Sequence, residues 1–489
     1  MAVRGAMPAN YKWWALSATS LGMFMAVVNG TTLLVALPTL IRVLHMSSFL
    51  AIWVMLAYMV TQTVLVLTVG RFSDMYGRKR WYVAGFTLFT AASLAAGFSP
   101  NGQTLLIIRA IQAIGGSLVM GNATAIVADA FPREQLGLAL GINSVVIALG
   151  QISGPILGGL LVSWVNWHWV FWFNVPIGVF GTLWSWRQLR DITKPERNQS
   201  IDYWGNFTYM LSLLGILIAI TWGGVRGWSS PVVYTALTLG VLGLFVFLRW
   251  ERVVSHPLLK LQLFHIRAFA MGNLSNFFIA VGRGAIILLF IFYFQGARGE
   301  NALQAGISVI PMAVAMGVTA PISGWLADRM GARILATLGA AIMAVSLLGF
   351  YFSVSLSTPY SIIAAWLVVA GIGNGLFNSP NTSAIMGSVH SQERGVAAGI
   401  RTMLLNTGNV FSVGSVLALV AATVPPPVML AIFSGQPAAV NPGALDHFTH
   451  GLDLAFGFMA LMALASAVLS ALRGEETSGA LKHSEAVSR

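Results

Sequence analysis

The sequence is short of charge and contains no cysteine. Of its 489 residues, 9% are Asp, Glu, Lys or Arg, whereas soluble globular proteins carry about 25%. The lack of cysteine excludes disulfides, thiol chemistry and cysteine-based metal sites. With 57% hydrophobic residues and a mean hydropathy of +0.78, the chain has too few polar groups to face water on all sides. These values predict a polytopic membrane protein.

Long apolar runs make up most of the chain. A membrane-spanning helix needs about 20 predominantly apolar residues, and fourteen runs are long enough. The runs are 13–38, 49–70, 81–98, 103–127, 137–163, 167–186, 204–223, 231–249, 269–295, 303–325, 334–354, 359–384, 396–421 and 453–472. The sequence therefore predicts an all-α membrane protein with fourteen transmembrane helices.

The basic residues are distributed unevenly between the loops. With an even number of spans both termini lie on one side, and that side holds most of the 27 Lys and Arg residues. The exceptions are Arg42, Arg226 and Arg298 on the other side and Arg109, Arg283 and Arg401 inside spans. Because basic loops stay in the cytoplasm, both termini are predicted to be cytoplasmic. The net charge of +12 is then a topology signal and gives no reason to expect nucleic acid as a partner.

One loop pattern occurs twice. Residues 70–80 read GRFSDMYGRKR and residues 324–334 read GWLADRMGARI, with Asp74 and Asp328 at matching places. Such recurrence indicates two homologous halves. We expect a six-helix bundle over 13–186, linkers with two inserted helices over 187–268, a second six-helix bundle over 269–472, and a cytoplasmic tail over 473–489.

Several motifs together resemble a known family. The loop at 70–80 is similar to the loop 2–3 signature of the major facilitator superfamily, and RAIQAIGG at 109–116 resembles its arginine-containing motif. GQISGPILGG at 150–159 resembles its antiporter motif, and WVFWFNVPIG and HPLLKLQLF resemble segments of the 14-span drug/proton antiporter branch. The resemblance implies a major facilitator fold that exports lipophilic, often cationic, compounds in exchange for protons by alternating access.

Some motif residues are candidates for proton coupling and gating. A cation within a span needs a partner and is a functional candidate by default, and the matching arginine of relatives is tied to coupling. The alternative is an arginine bonded to helix carbonyls. At the cytoplasmic ends, an aspartate paired with an arginine could form a latch, or it could be a solvated carboxylate. The candidates are Arg109, Asp129, Asp74, Arg78 and Asp328.

The antiporter motif also has a physical interpretation. Glycines every four residues line one helix face and permit close helix approach, and a proline bends the helix. The residues are Gly150, Gly154, Pro155, Gly158 and Gly159. Their face is predicted to be a sliding seam between bundles, or a plain packing face.

Polar residues within the spans predict a substrate cavity. Intramembrane amides, hydroxyls and cations commonly mark a pathway, although interhelical hydrogen bonds are an equal alternative for the amides. The candidates are Asn29, Thr32, Gln62, Arg283, Asn378, Asn381, Asn406 and Asn409. Arg283 is as compatible with a structural role as with anion binding.

Asn29 departs from the family pattern. Aligned on the VALP sequence at 35–38, it occupies the position of the family's span-1 Asp, and no Asp or Glu falls in mid-membrane. Asn does not exchange a proton as Asp does. We therefore expect weaker cation selectivity, so that neutral, zwitterionic or anionic amphiphiles become candidate substrates. The open alternatives are an engineered Asn29, a facilitator without proton coupling, and a sensor or lipid-handling member of the fold.

The sequence lacks the usual signatures of an enzyme. It has no Walker-type loop, no strand-associated dinucleotide motif and no metal-ligand spacing, so we expect neither catalysis nor a cofactor. The predicted partners are a small amphipathic substrate, protons and membrane lipid, with the chain working as a monomer in a prokaryotic inner membrane. The outer loop 422–452 is predicted to be a connecting segment and not a lid.

Overall fold

The computed structural model describes residues 10–191, 202–254, 257–390, 393–436 and 442–474. Within them the chain folds into α-helices joined by short turns. The helices are α1 (Tyr11–Val43), α2 (Ser48–Tyr76), α3 (Arg78–Ala96), α4 (Gly102–Ala130), α5 (Arg133–Leu160), α6 (Trp169–Trp172), α7 (Asn174–Gln188), α8 (Tyr203–Arg226), α9 (Pro231–Trp250), α10 (Arg267–Arg283), α11 (Ile286–Phe292), α12 (Ala302–Ser308), α13 (Ile310–Met330), α14 (Ala332–Ser353), α15 (Tyr360–Gly387), α16 (Arg394–Thr423), α17 (Pro426–Phe433) and α18 (Pro442–Ala471).

The helical segments match the predicted runs, with breaks at a few of them. The run at 269–295 divides into α10, α11 and a π-helical turn at Tyr293–Ala297, and a second π-helical turn at Leu161–Val165 follows α5. The run at 303–325 divides into α12 and α13, with Pro311 in the first turn of α13, where proline is tolerated.

Twelve helical segments of the described chain are long and apolar enough to cross a membrane. The other two predicted spans correspond to α3 and to the pair α6 and α7. Helix α3 has only 19 residues and begins with Arg78, Lys79 and Arg80, and the run at 167–186 is interrupted between α6 and α7. By length and composition, the structure thus supports twelve of the fourteen predicted spans.

Helix α3 and the α6–α7 pair nevertheless extend along the full height of the first bundle. Arg78 at the start of α3 pairs with Asp129 at the end of α4. At the other end of α3, Gly97 contacts the indole of Trp172 in α6. The chain then returns, because Asp191 just beyond α7 accepts the backbone N–H of Lys79 at 2.9 Å.

We call the side of the molecule that carries Arg78 and Asp129 the basic face and the other side the opposite face. The two halves contact each other toward the opposite face. Gln295 donates from Nε2 to the Val35 carbonyl of α1 at 2.9 Å. A Cβ on Gly159 would lie 2.5 Å from Cα of Leu303, so α5 meets α12 backbone to backbone. The halves are therefore pressed together at this end.

Helix α17 covers this contact. Met429, Ile432 and Phe433 are buried, and the Phe433 ring stacks on Phe292 of α11 with centroids 4.1 Å apart. Gly435, just beyond α17, packs on Pro38 of α1. The loop expected to be a mere connection thus contains a helix that contacts both halves, and α18 starts at Pro442, eleven residues before the predicted run.

The inserted helices α8 and α9 form an antiparallel pair that also touches both halves. On one side, Trp53 of α2 donates from Nε1 to Thr221 Oγ1 of α8 at 3.2 Å. On the other side, the hydroxyls of Tyr209 in α8 and Thr407 in α16 are 2.6 Å apart. The described side chains of α9 are largely exposed along its outer surface.

Candidate functional site

Arg109 lies inside the first bundle, on α4. Its side chain is 2% exposed, and its guanidinium carbon lies 4.2 Å from the centroid of the Tyr58 ring of α2. It also donates to Oε1 of Gln112, one turn further along α4. A cation over an aromatic face is attracted by the ring quadrupole, and the attraction is strongest away from water. Arg109 is therefore held by a ring and an amide.

Gln112 connects Arg109 to Asn29. Its Nε2 donates to Asn29 Oδ1 at 3.2 Å and to Ser93 Oγ at 2.7 Å. Asn29 Oδ1 also accepts from Nδ2 of Asn174 in α7 at 3.2 Å. We call Asn29, Tyr58, Ser93, Arg109, Gln112 and Asn174 the Arg109 network. It joins five helices of the first bundle at one buried point.

Four polar atoms of the Arg109 network have no hydrogen-bond partner among the described residues. They are Asn29 Nδ2, the Tyr58 hydroxyl, Arg109 Nε and Asn174 Oδ1. Unpaired polar groups are costly in a low-dielectric interior. The network thus has two donors, from Gln112 and Asn174, that meet at position 29, and a neighbouring cation that no described carboxylate contacts. Such surroundings suit a carboxylate at this position.

The sequence predicts roles for Arg109 and Asn29 but does not place them together. It predicts no role for Ser93, Gln112 or Asn174. A usable signal was the spacing of Arg109 and Gln112, since residues three apart on a helix are neighbours. The contributions of α3 and α7 depend on tertiary packing and have no local signal.

Arg283 and Arg401 form a second cationic site, in the other half; we call them the arginine pair. Arg401 of α16 donates from Nη2 to Asn378 Oδ1 of α15 at 2.7 Å. Arg283, at the end of α10, is partly exposed and makes no hydrogen bond within the described chain. A Cβ on Gly284, next to Arg283, would lie 3.1 Å from Cα of Asn409, so the two helices that carry the pair are in close contact. Both arginines are partly exposed, whereas Arg109 is buried.

Three predicted cavity amides resemble Arg283 in their surroundings. Gln62, Asn406 and Asn409 are partly exposed, and none has a hydrogen-bond partner in the described part of the chain. Unpaired amides this deep in an apolar helix layer need water or a ligand, because hydrocarbon cannot satisfy them.

Other predicted cavity residues are buried contacts between helices. Thr32 donates to the Gly154 carbonyl of α5 at 3.1 Å, and Asn29 belongs to the Arg109 network. Asn381 donates to the Gly272 carbonyl of α10 at 3.3 Å and accepts from Arg473. The structure therefore separates the predicted cavity residues into exposed side chains and interhelical ties.

The antiporter-motif glycines of α5 face two partners. A Cβ on Gly150, Gly154 or Gly158 would press on Val27, Thr31 and the Thr32 backbone of α1. Further along α5, Gly159 meets α12 of the other half, and a Cβ on Gly306 would overlap the carbonyl oxygen of Pro155. Helix α5 thus packs on α1 of its own bundle along one side. The end of α5 closes the contact between the two halves at the opposite face of the molecule.

The predicted latch residues lie at the basic face. Arg78 pairs with Asp129 and also donates to the Ala125 carbonyl at 3.3 Å. Asp74 and Asp328 are in helices α2 and α13, but their side chains lie outside the described residues. The Arg78–Asp129 pair ties the start of α3 to the end of α4 within the first bundle.

Two carboxyl groups lie at the base of the inserted helices. Glu251, directly after α9, accepts the backbone N–H of Leu259 at 2.7 Å, and Asp202 accepts from Trp250 Nε1 at 2.8 Å. A Cβ on Gly205 would lie close to an oxygen of each acid. Burial raises the pKa of Glu251 to about 7, and the neighbouring Asp202 charge acts in the same direction while Arg71 opposes it. No three potential metal ligands come together in the described residues.

Comparison with known proteins supports one family. The family model of the Major Facilitator Superfamily matches residues 19–413 and 274–486. The chain is 31% identical to the riboflavin transporter RibZ of Clostridioides difficile (strain 630), over 82% of this chain and 87% of that protein. It is 30% identical to the multidrug transporter protein MdtP of Bacillus subtilis (strain 168), over 80% of this chain and 72% of that protein.

A solved structure supports the fold. A bacterial homolog of the human lysosomal transporter Spinster, in an inward-facing and unoccupied conformation, is similar with a TM-score of 0.65. It is 16% identical and covers 96% of this chain and 98% of its own. Given the family match across most of its length, the chain belongs to the Major Facilitator Superfamily and is a membrane transporter, not an enzyme.

Proposed function

We propose that this transporter exports small amphipathic compounds across the cytoplasmic membrane by alternating access. The observation that carries the proposal is the asymmetry along the molecule. The halves meet backbone to backbone at the opposite face, through Gly159 and Leu303, while unpartnered polar side chains such as Gln62 and Asn409 lie deeper. A closed outer end above an unsatisfied polar interior is the arrangement of a transporter open to the other side.

The proposed topology has fourteen crossings. Helix α3 and the pair α6–α7 complete the count, since both run between the two faces of the first bundle. The basic face is then cytoplasmic, in line with the distribution of Lys and Arg, and both termini lie in the cytoplasm of a prokaryote. Residues 13–186 and 269–472 form the two bundles of a monomeric unit, and 187–268 carries the inserted pair.

Proton antiport is the coupling we favour. The Arg109 network holds no described carboxylate, so protons would be exchanged at the basic face, through Asp129 and its partner Arg78 with Asp74 near the end of α2. Breaking this pair would untie the start of α3 from the end of α4. An uncoupled facilitator is the alternative, and Asn29 in place of the family's Asp is the feature that favours it.

Accessibility measurements test alternating access, and the cysteine-free sequence simplifies them. Ala305 is buried in the closed contact at the opposite face, so Ala305→Cys should resist a membrane-impermeant maleimide from outside at rest. Labelling should rise when substrate is supplied. Phe352→Cys, at an exposed site near the same face, is the matched positive control. Full labelling of Ala305→Cys without substrate would contradict the proposed resting state.

Proton coupling is tested in proteoliposomes. We expect an imposed pH gradient, acidic on the opposite-face side, to accelerate efflux of a neutral dye, and nigericin to remove the acceleration. Asp129→Asn should abolish the response to the gradient while leaving downhill movement. Equal rates with and without the gradient would identify a facilitator.

A further inference from the structure

We propose that the arginine pair, with Asn378, binds the anionic head group of a lipophilic substrate. The inference rests on the proposed function, because it names the class of compound that this exporter recognises: a carboxylate, sulfonate or phosphate group attached to an apolar body. Arg283 and Arg401 supply the charge, and Asn378 holds Arg401 in place through its 2.7 Å hydrogen bond.

Neither arginine forms an ion pair with a carboxylate in the described part of the chain. Helices α10, α15 and α16 contain no Asp or Glu. Charged side chains are expensive at this depth and normally pair with an opposite charge or a water-filled cavity. A second guanidinium group on the neighbouring helix raises that cost, since like charges repel. An anion between them would remove both penalties.

The backbone brings the two arginines toward each other. A Cβ on Gly284 would lie 3.1 Å from Cα of Asn409, so the end of α10 approaches α16 closely. Asn276, two turns before Arg283 on the same side of α10, donates to the Arg401 carbonyl at 3.1 Å. The side chain of Arg283 therefore lies above Arg401 on the same side of the helix pair.

Donors of the pair remain unpaired in the described chain. Arg401 uses Nη2 for Asn378, and its Nε is buried without a partner in that part of the chain. Arg283 makes no hydrogen bond there and is partly exposed. Guanidinium groups present several N–H donors in a planar fork that matches a carboxylate or phosphate, so one anion could bridge both residues.

The surroundings suit an amphipathic ligand. Phe277 of α10 and Phe411 of α16 are partly exposed and lie edge to face with centroids 6.1 Å apart. Asn406 and Asn409 add unpartnered amides on α16. An apolar body could pack on the rings while its polar substituents bind the amides, as in other apolar pockets with a few placed polar groups.

Binding of matched probes tests the proposal. The probes are dansyl-aminohexanoate, its primary amide, and a dansyl-aminohexyl quaternary ammonium, which differ chiefly in head-group charge. Affinity for the full chain in phosphatidylcholine nanodiscs is measured by energy transfer from tryptophan. We expect the carboxylate to bind roughly tenfold or more tightly than the amide, the usual size of a charge-assisted hydrogen bond, and the ammonium to bind more weakly still.

Substitutions then locate the site. Arg283→Gln and Arg401→Gln should each remove most of the carboxylate preference, while Arg401→Lys should keep part of it. Arg249→Gln, a matched loss of one charge on the exposed surface of α9, should leave the preference unchanged. Unaltered binding of the amide probe shows that a variant is folded. Equal binding of the carboxylate and ammonium probes, or a preference that survives both glutamine substitutions, would overturn the proposal.

Two further arms separate the possible outcomes. Replacing part of the phosphatidylcholine with phosphatidylglycerol should displace the carboxylate probe if the bound anion is a lipid head group, and should leave it bound if the substrate is a soluble anion. Both results support the anion site only if Arg283→Gln and Arg401→Gln abolish the preference for the carboxylate probe over the amide. The maleimide measurement at position 305 is independent, so anion binding without changing accessibility would contradict the exporter and not the site.

Discussion

Each half of the transporter keeps arginine within the membrane layer, and the two halves treat it differently. Arg109 is 2% exposed, stacked on Tyr58 and bonded to Gln112. Arg283 is partly exposed and has no hydrogen bond within the described chain. In the first arrangement the polar contacts are made within the protein, where they fix five helices relative to one another. The second makes no such contact. Arg109 thus holds helices together, whereas Arg283 does not.

The largest expected difference between the halves is in stability. Arg109→Ala removes a fully packed side chain and leaves the Gln112 oxygen unpaired, which should cost about 2–4 kcal/mol. Arg283→Ala removes a partly exposed cation without partners and should cost less than about 1 kcal/mol. Thermal unfolding followed by tryptophan fluorescence in detergent measures both, with Arg249→Ala as the surface control. Equal losses of stability in Arg109→Ala and Arg283→Ala would contradict this difference between the two halves.

A carboxylate at position 29 should act directly on the Arg109 network. In Asn29→Asp the new carboxylate accepts hydrogen bonds from Gln112 and Asn174 and lies near Arg109. We expect cationic dye efflux driven by a pH gradient to rise roughly ten- to hundredfold, the range of a charge-assisted interaction. Efflux from proteoliposomes measures it.

The control for this prediction is Asn29→Ser, which removes the amide without adding charge and should show no gain. A gain of the same size in Asn29→Ser would mean that the carboxylate is irrelevant at this position.

Tyr58 tests what the ring contributes to Arg109. Its hydroxyl is buried without a partner in the described residues, so Tyr58→Phe should be within about 0.5 kcal/mol of the parent. Tyr58→Leu removes the aromatic face and should cost about 1–2 kcal/mol. The difference between the two variants in thermal unfolding isolates the cation–π contact. If Phe and Leu behave alike, the ring acts only by filling space.

The smallest effect concerns the acids at the base of the inserted helices. The folded pKa of Glu251 is about 7, above its ordinary value near 4.5, so the folded state binds this proton more tightly than the unfolded state. The resulting stability is complete below the ordinary value and is lost as pH rises through about 7. Glu251→Gln, which stays neutral, should therefore be more stable than the parent at pH 8 by about 1 kcal/mol and no more stable at pH 5.

Melting temperatures at the two pH values measure this effect. Glu393→Gln, which removes a carboxylate from the more exposed pair with Lys260, is the matched control and should show no gain at pH 8. A gain for Glu251→Gln that is the same at both pH values would contradict a titrating Glu251.

Much of the architecture could be predicted from the sequence, because membrane helices carry their signal locally. An uninterrupted apolar run has few alternatives to a helix, so α1, α4 or α16 were expected nearly at their observed bounds. The number of membrane spans was harder to predict at α3, which is short and begins with three basic residues. It was also harder at 167–186, where the run breaks between α6 and α7. Helix α17 was missed, since eight residues in a loop are too short for a periodic pattern to stand out.

The individual polar residues of the site could be predicted from the sequence, but their arrangement could not. Intramembrane polar residues could be recognised one by one, but Thr32 and Asn381 tie helices together, whereas Asn409 is partly exposed and has no hydrogen-bond partner in the described chain. Which face of a helix meets a neighbour depends on the rotation of each helix in the bundle. The Arg109 network in particular needs α3 and α7 to deliver Ser93 and Asn174, which no spacing along the chain reveals.

The backbone-to-backbone seam at the opposite face has a consequence for the tightness of the membrane. Gly159 against Leu303, and Gly306 against the Pro155 carbonyl, bring helix backbones into direct contact. Dispersion attraction falls steeply with distance, so parting the helices by about 1 Å already forfeits about a quarter to a half of it. The contact therefore favours a fully closed seam over a slightly parted one in which water forms a continuous thread. A transporter that closes in this way keeps its opposite face tight to ions in an energised membrane.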